Sequence, residues 1–322
     1  MKLTMVLPMD QPLQWRLARQ VGVEGAVFSL HEQSLRDPDV LTYQGLKKYI
    51  DRLRDEDLEL SVIEGDLAPL DETKLGLSGK DREIDKYLDV LRLLGDHGIP
   101  IVCNNFMAGV NWVRTETGLP LRGKALTTAF QYDQVKNKHF DTQGAILTEE
   151  VVWDNLFYFM EKILPVAEAS GVKMALHPDD PPLSPLGNIA RILTRPQAYH
   201  KLFEKFPSES NGMTFCQANF KLMDGDLYKM ATAFGESGKI FFVHFRDVEG
   251  DKYNFKETFH DDGPTDMARM MRIYHKYIPE TPLRPDHVPT LEGDDNTNFG
   301  YTMRGRLYAA GYIKGLMDSL PG

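Results

Sequence analysis

The sequence contains little cysteine, no long apolar run and no excess of basic residues. Its 322 residues include 2 cysteines, Cys103 and Cys216, which are too few for the disulfide framework of a small secreted domain. It has no run of about 18 apolar residues, and the opening MKLTMVLPMD lacks the charged start and apolar stretch of an export signal. We therefore expect a soluble, cytoplasmic protein whose cysteines stay reduced.

The charge balance is acidic, with 37 Lys and Arg against 47 Asp and Glu and a formal net charge of −10. Nucleic acids and anionic membranes repel such a surface, so we expect neither as a partner. A local basic pocket for a small molecule remains compatible with this charge. With 42% apolar and 26% charged residues, the chain is long enough to bury a sizeable core.

Short apolar runs alternate with segments of helical periodicity along the whole chain. Two clear helical segments, 81–98 and 148–171, each end at a glycine, and no Pro/Gly/Ser-rich linker divides the chain. The pattern predicts α/β architecture, with 1–322 forming a single (β/α)8 TIM barrel domain, in which active sites form at the C-terminal ends of the strands. The eight predicted strands are 3–7, 25–29, 58–64, 99–106, 173–177, 213–217, 239–245 and 282–286.

The segment 107–147, after the fourth predicted strand, breaks this alternation because it is long and shows no clear period. We predict a long loop that serves as a possible lid. Within it, Gly118 to Lys124 matches G-x-x-x-x-G-K, but Ala125 replaces the required Ser or Thr and no strand leads into the motif. A phosphate-binding loop is therefore disfavoured.

Four residues able to bind a divalent metal each follow or end one of the last four predicted strands. Two imidazoles, a thiolate and a carboxylate spread over four strands indicate an open metal site rather than a zinc knuckle, and they suit zinc, iron or cobalt. Taken singly, each has an ordinary structural explanation, such as a turn, a core histidine, a small buried hydrophobe or a strand-end cap. Four independent structural roles at equivalent strand ends are a less economical explanation than one shared metal site. The four residues are His177, Cys216, His244 and Asp286.

Longer motifs resemble the mannonate dehydratase family: HPDDPP at 177–182, FVHFRDVEG at 242–250, FKETFH at 255–260, LRPDHVP at 283–289 and FGYTMRGRLYAAGYIKGL at 299–316. The resemblance implies a metal-dependent barrel enzyme of hexuronate catabolism, a hydro-lyase that converts D-mannonate to 2-keto-3-deoxy-D-gluconate. It favours Mn²⁺, with Fe²⁺, Co²⁺ or Zn²⁺ as alternatives. By position, the metal ligands would be His177, Cys216, His244 and Asp286, and the catalytic residues Arg284, Asp286, His287 and Tyr301.

The match departs from the family at two places. The first strand has MVLPMD where the family carries an aromatic Arg-Trp-Tyr/Phe-Gly stretch, and Asn111 replaces an acidic residue before the Arg-Thr pair of the long loop. These positions are expected to face the sugar, so the departures concern the exact substrate more than the metal or the reaction type.

The proposed chemistry has its own physical requirements. Removing a proton beside a carboxylate creates a dianionic enediolate, which needs a metal and fixed donors for stabilisation. Arg284 would neutralise the substrate carboxylate, because guanidinium groups bind carboxylates in a bidentate manner. His287 and Tyr301 would transfer protons, one removing the C2 proton and the other protonating the departing C3 hydroxyl. The sequence does not assign the two roles.

Other polar residues are weaker candidates. Asn105 and His260 are predicted to contact substrate hydroxyls, although each can equally form a turn. Asp179 and Asp180 either orient His177 or shape the Asp-Asp-Pro-Pro turn. A homodimer is also an expectation. Two other functions stay open: a sugar isomerase or epimerase on the same metal-dependent barrel, and a binding protein stabilised by a fully ligated metal.

Overall fold

The computed structural model describes residues 1–321. The strands are β1 (Lys2–Val6), β2 (Gly25–Phe28), β3 (Glu59–Glu64), β4 (Ile101–Asn105), β5 (Glu116–Pro120), β6 (Leu126–Gln131), β7 (Lys173–His177), β8 (Asn211–Cys216), β9 (Ile240–Phe245), β10 (Val248–Asp251), β11 (Asn254–Glu257) and β12 (Pro282–Pro285). Eight of them are parallel and form a closed barrel in the order β1-β12-β9-β8-β7-β4-β3-β2, which confirms the predicted (β/α)8 fold.

Helices follow the barrel strands and cover them from outside. The helices are α1 (Pro12–Gln20), α2 (Leu30–Ser34), α3 (Tyr43–Asp55), α4 (Asp71–Leu75), α5 (Lys80–Asp96), α6 (Glu149–Ala169), α7 (Pro196–Lys205), α8 (Gln217–Leu222), α9 (Leu227–Glu236), α10 (Met267–Tyr277) and α11 (Met303–Asp318). Helices α5 and α6 confirm the two helical segments read from the sequence. No helix within residues 1–321 has the length and apolarity needed to cross a membrane.

Two apolar layers hold this arrangement together. The barrel interior is filled by side chains such as Val62, Ala175 and Phe242, which alternate with residues that face the helices. Helix α6 shows how the outer layer forms. Its Thr148 cap accepts a hydrogen bond from the Val151 backbone N–H at 3.3 Å, and the helix then buries an apolar face that includes Phe159.

The long connection predicted after the fourth barrel strand is present, but the segment 107–147 contains strands where the sequence showed no clear period. Strands β5 and β6 lie in it and join the β10–β11 hairpin in a four-stranded antiparallel sheet of order β10-β11-β6-β5, called here the accessory sheet. Phe130 lies opposite Phe255, with their ring centroids 5.5 Å apart. Strands β5 and β6 are short, and β6 pairs on its other side with β11, which lies far along the chain, so no regular local pattern in the sequence predicts them. The Gly118 to Lys124 motif begins in β5 and ends in a short 3₁₀ turn.

Candidate active site

A cavity of about 580 Å³ opens at the C-terminal ends of the barrel strands. One part is lined by residues that end β3, β4, β7, β9 and β12, and the other by the connections that follow β1 and β2. The first part of the segment 107–147, including Trp112, forms a further wall. Parallel strands in register bring their terminal residues to one level, so side chains distant in sequence meet here.

The four predicted metal ligands come together beside this cavity, whose lining includes His177, His244 and Asp286. The donor atoms of His177, Cys216 and His244 all lie within 4.8 Å of one another, and His177 Nε2 is 3.1 Å from His244 Nδ1. Asp286 Oδ2 lies 3.6 Å from both Cys216 Sγ and His244 Nδ1. Strand pairing explains the convergence, because Cys216 is the register partner of His244 in the adjacent strand.

The chemistry of these donors fits a divalent cation. His177 Nδ1 lies 2.7 Å from the Pro178 carbonyl oxygen, to which it donates, and this leaves the Nε2 lone pair directed at the other donors. Burial raises the pKa of the Cys216 thiol, but the Arg246 guanidinium and His177 outweigh burial and lower the pKa from its usual value of 9.0 to about 6. The thiolate, which is the metal-binding form, therefore predominates at neutral pH.

A second group of donors, consisting of Glu64, Cys103 and His244, lies beside the first. Glu64 is already held by Arg284, whose Nε and Nη2 lie 2.8 and 2.5 Å from its two oxygens. Burial raises the pKa of the Cys103 thiol, which disfavours its thiolate. Because Glu64 Oε1 is also 3.5 Å from His244 Nε2, this carboxylate orients His244 from the side opposite the metal donors.

Arg284 is fully buried, and its donors are engaged within the protein. Besides the two contacts with Glu64, its Nη1 lies 2.9 Å from Asp286 Oδ1 and 2.9 Å from the Pro285 carbonyl oxygen. The structure therefore places this predicted carboxylate-binding residue beside the donors, but in ion pairs with Glu64 and Asp286. Glu64 was missed by sequence reasoning, although it ends a predicted strand just as His177 does.

Two buried arginines connect the metal donors to the accessory sheet. Arg246 Nε lies 2.6 Å from Asp286 Oδ2, while its Nη1 and Nη2 lie 2.7 Å from Glu257 and 2.8 Å from Asp180. Arg114, whose side chain is 1% exposed, contacts the same Asp180 and Glu257 at 2.6 Å each. Burial raises the pKa of the Glu257 carboxyl, but the two guanidinium groups outweigh it and hold the pKa at about 2. This cluster was also missed, although Arg246 follows His244 by two residues.

His287 and Tyr301 form a hydrogen-bonded pair beside the donor cluster. His287 Nε2 lies 3.1 Å from the Tyr301 hydroxyl, and His287 Nδ1 lies 2.9 Å from Glu257 Oε1. Burial, and then the Asp286 carboxylate, raise the pKa of the Tyr301 phenol, which keeps it protonated. The Trp112 ring covers His287, with the ring centroids 4.7 Å apart.

Comparison with known proteins agrees with this geometry. The family model for D-mannonate dehydratase (UxuA) matches residues 1–148 and 133–321. The chain belongs to the D-mannonate dehydratase family. It is 31% identical to a mannonate dehydratase of Streptococcus agalactiae serotype V, over 97% of this chain and 96% of the relative, and 30% identical to one of Thermotoga maritima, over 94% and 92%.

Solved structures extend the comparison. The mannonate dehydratase of Streptococcus suis serotype 2 superposes with a TM-score of 0.88 and 29% identity, covering 99% of this chain and 93% of that one. A xylose isomerase-like TIM barrel protein of Mycobacterium smegmatis reaches 0.63 at 12% identity, covering 100% and 97%, and so shares only the fold. Family membership makes the chain an enzyme of the hydro-lyase class, and the dehydratase interpretation is better supported than the isomerase one.

Two predicted substrate contacts differ in their placement within this dehydratase fold. Asn105 lines the cavity, and its Oδ1 accepts hydrogen bonds from the Met107 backbone N–H at 3.0 Å and from Lys74 at 3.3 Å. His260 is buried outside the lining, and its Nε2 lies 2.7 Å from the Phe245 carbonyl oxygen, to which it donates. The structure therefore brings Asn105 to the cavity and does not bring His260 there.

The two aspartates after His177 have separate positions in the dehydratase site. Asp179 accepts hydrogen bonds from the Ile192 and Leu193 backbone N–H groups at 3.1 and 2.7 Å and pairs with Arg191 at 3.0 Å, so it orders the following loop. Asp180 belongs to the buried arginine cluster. His177 is oriented instead by the carbonyl oxygen of Pro178.

Proposed function

We propose that this protein removes water from D-mannonate and yields 2-keto-3-deoxy-D-gluconate. The observation that carries the proposal is the presence, in one cavity, of metal-type donors and a hydrogen-bonded His287–Tyr301 pair. Elimination beside a carboxylate requires charge stabilisation and two proton-transfer groups, and this cavity offers both. The substrate itself is suggested by the names of the relatives, which are mannonate dehydratases.

The proposed cofactor is a divalent cation held by His177, Cys216, His244 and Asp286, with Mn²⁺ the expected ion. When bound, it would stabilise the negative charge that develops as the proton at C2 leaves. Fe²⁺, Co²⁺ and Zn²⁺ are the competitors that these nitrogen, sulfur and oxygen donors admit. The four ions can be ranked by reconstituting the metal-free protein with each one and measuring the rate of D-mannonate dehydration.

The hydrogen bonds around His287 favour one assignment of the proton-transfer roles, with His287 as the base and Tyr301 as the acid. Two groups lie near His287 Nδ1: Glu257 Oε1 at 2.9 Å, which accepts a proton, and Arg114 Nη2 at 3.2 Å, which only donates. We assign the Nδ1–H to the shorter contact with Glu257, and this assignment leaves a lone pair on Nε2. We infer that Nε2 removes the C2 proton as the C2–C3 double bond forms and the C3–O bond breaks. Tyr301 donates its proton to the departing hydroxyl, which leaves as water. The enol product then tautomerises to the 2-keto acid.

The 3.1 Å contact between His287 Nε2 and the Tyr301 hydroxyl completes the cycle. After the elimination, His287 carries the proton taken from C2 and Tyr301 is a phenolate. Transfer of that proton from Nε2 to the phenolate oxygen restores both groups without a proton from solvent. The buried ion pairs of Glu257 with Arg114 and Arg246 hold His287 in place during these transfers.

We further propose that the first part of the segment 107–147 covers the substrate. Met107, Asn111 and Trp112 line the cavity, whereas β5 and β6 are paired within the accessory sheet. A covered site excludes water from a reactive enol and strengthens the electrostatic contacts. A Trp112→Ala variant should raise the KM for the sugar acid with retained metal content, and an unchanged KM together with an unchanged kcat would contradict this role.

The activity is tested by incubating metal-reconstituted protein with a panel of hexonates and pentonates. Formation of a 2-keto-3-deoxy acid, shown by colorimetric detection and by a mass 18 Da below the substrate as expected for loss of water, is the result we expect for D-mannonate. The metal-free protein serves as the control. A product of unchanged mass would identify an isomerase or epimerase and would overturn the proposal.

A further inference from the structure

Arg306 is a buried arginine of the cavity wall that has no acidic partner. It lies on α11, is 4% exposed and contributes to the lining of the cavity. Its Nη1 donates to the carbonyl oxygen of Val6, and its Nη2 donates to Gln14 Oε1 at 3.1 Å. Both acceptors are neutral, and within residues 1–321 no carboxylate oxygen lies within 4.0 Å of the guanidinium.

Each of the other two arginines that line the cavity has a carboxylate oxygen within 4.0 Å. Arg284 is paired with Glu64 and Asp286, and Arg36 is largely exposed, with Asp10 at 3.7 Å. Burial of an unpaired guanidinium is costly unless another negative group compensates for the loss of hydration. Burial and then the neighbouring Arg284 lower the pKa of Arg306 to about 10, so it remains protonated at neutral pH despite this cost.

The hydrogen bonds of Arg306 leave some of its N–H groups without a partner in the protein. A guanidinium has five N–H groups, and the contacts with Val6 and Gln14 use one on each terminal nitrogen. The Nε atom is buried and has no hydrogen-bond partner. The Val6 and Gln14 contacts hold the planar group in one orientation, which is a favourable condition for charge-assisted binding of a carboxylate.

We propose that Arg306 binds the carboxylate of the sugar acid and is the residue that distinguishes an aldonate from a neutral polyol. The inference rests on the proposed function because it takes the ligand to be a sugar acid. It also assigns a different role to Arg284, which keeps Glu64, Asp286 and His244 in position and has its donors occupied.

The test is calorimetric titration of the metal-loaded full chain with two ligands of the same carbon skeleton. D-Gluconate carries a carboxylate, and D-glucitol has an alcohol in its place. Arg306→Met should raise the Kd for gluconate roughly 10- to 100-fold, the effect of losing charge-assisted hydrogen bonds, and leave binding of glucitol unchanged. Arg306→Lys keeps the positive charge but lacks the paired donors of a guanidinium. Its Kd for gluconate should therefore lie between those of the unchanged protein and Arg306→Met.

Arg304→Met is the matched control, because Arg304 lies on the same helix but is exposed and contacts the Glu292 carbonyl oxygen. It should bind gluconate like the unchanged protein. If Arg306→Met does not fold, Arg306→Gln replaces it, since the amide keeps a donor for Val6. The thermal midpoint of a neutral variant without ligand should not fall, because an unpaired buried charge has been removed.

An unchanged gluconate Kd in Arg306→Met, an equal loss for glucitol, or no gluconate binding by the unchanged protein would each overturn the inference. The titration is separate from turnover. Dehydration of D-mannonate with binding that does not depend on Arg306 would support the proposed function and refute this assignment. Arg306-dependent binding of gluconate without dehydration of any hexonate would support the Arg306 assignment and refute the proposed function.

Discussion

The barrel and the accessory sheet serve the same cavity in different ways. Barrel strands bring the proposed metal ligands together by register, as with Cys216 and His244, which are register partners in the neighbouring strands β8 and β9. The accessory sheet delivers Glu257, which reaches His287 at 2.9 Å and is fixed by ion pairs with Arg114 and Arg246. The arrangement of the proposed metal ligands therefore depends on backbone hydrogen bonds, whereas the orientation of the proposed proton-transfer pair, His287 and Tyr301, depends on buried charges.

Removing a barrel donor should give the largest effect. Cys216→Ala should abolish turnover and reduce the metal content strongly, because the thiolate and its charge are lost from the donor set. Metal analysis after dialysis and a rate assay with D-mannonate measure both. Cys103→Ala is the control, since this cysteine is also buried but lies outside the four-donor cluster. Full metal retention by Cys216→Ala would contradict the proposal that Cys216 is one of the metal ligands.

Tyr301→Phe should give the next largest effect, because it removes only the hydroxyl beside His287. The kcat should fall by roughly 10² to 10⁴, the usual range for loss of a general acid or base, with metal content preserved. Tyr308→Phe is the control, since the Tyr308 hydroxyl instead contacts Arg122 at 2.9 Å near the surface. A change confined to the KM would show that Tyr301 binds the sugar without transferring a proton.

Acid should destabilise the accessory sheet side of the site. The pKa of Glu257 is lowered from 4.5 to about 2, so its contribution to the free energy of unfolding is complete above about pH 4.5 and is lost as the pH falls toward 2. A shift of this size corresponds to about 3 kcal/mol. Thermal midpoints measured between pH 5 and pH 3 should fall less steeply for Glu257→Gln than for the unchanged protein. Parallel slopes for the two proteins would exclude this carboxylate as a source of the acid sensitivity.

Glu257→Gln at neutral pH should have the smallest of these effects. It is also the most direct test of whether the accessory sheet and the barrel contribute separately to the site. The amide can donate to His287 Nδ1 and thus favour the wrong tautomer, so the kcat should fall roughly 10- to 100-fold, as for other partners that orient a functional histidine. Metal content and the KM should stay near their original values. Glu249→Gln, on the exposed face of β10, is the control. If Glu257→Gln lost metal as well as activity, the accessory sheet would also be needed for metal binding, and its role could not be separated from that of the barrel.

Much of the barrel was predictable because parallel strands buried on both faces produce continuous apolar runs. The donors at strand ends could be found from residue type alone, since histidine, cysteine and aspartate at the ends of four strands form a recognisable set. His177 and His244 illustrate this, as each occupies the last or next-to-last position of its strand. The same rule applied to β3 would have identified Glu64.

The accessory sheet was not predictable, for a physical reason. Its β6 and β11 strands pair across more than a hundred intervening residues, and neither has a strong alternating pattern of its own. The sequence alone also does not reveal that Arg114, which lies in the segment 107–147, is paired with Asp180 and Glu257. Conversely, the free guanidinium of Arg306 is recognisable only once its neighbours are known.

The long separation between β6 and β11 also bears on how the molecule assembles. Closure of a large chain loop carries an entropic cost before its contacts form, so pairing of Phe130 with Phe255 is expected late in folding. The neighbouring strands β7, β8 and β9 are closer along the chain and can pair earlier. A refolding molecule should therefore acquire metal affinity before it acquires turnover, and the interval between the two signals would report directly on docking of the accessory sheet.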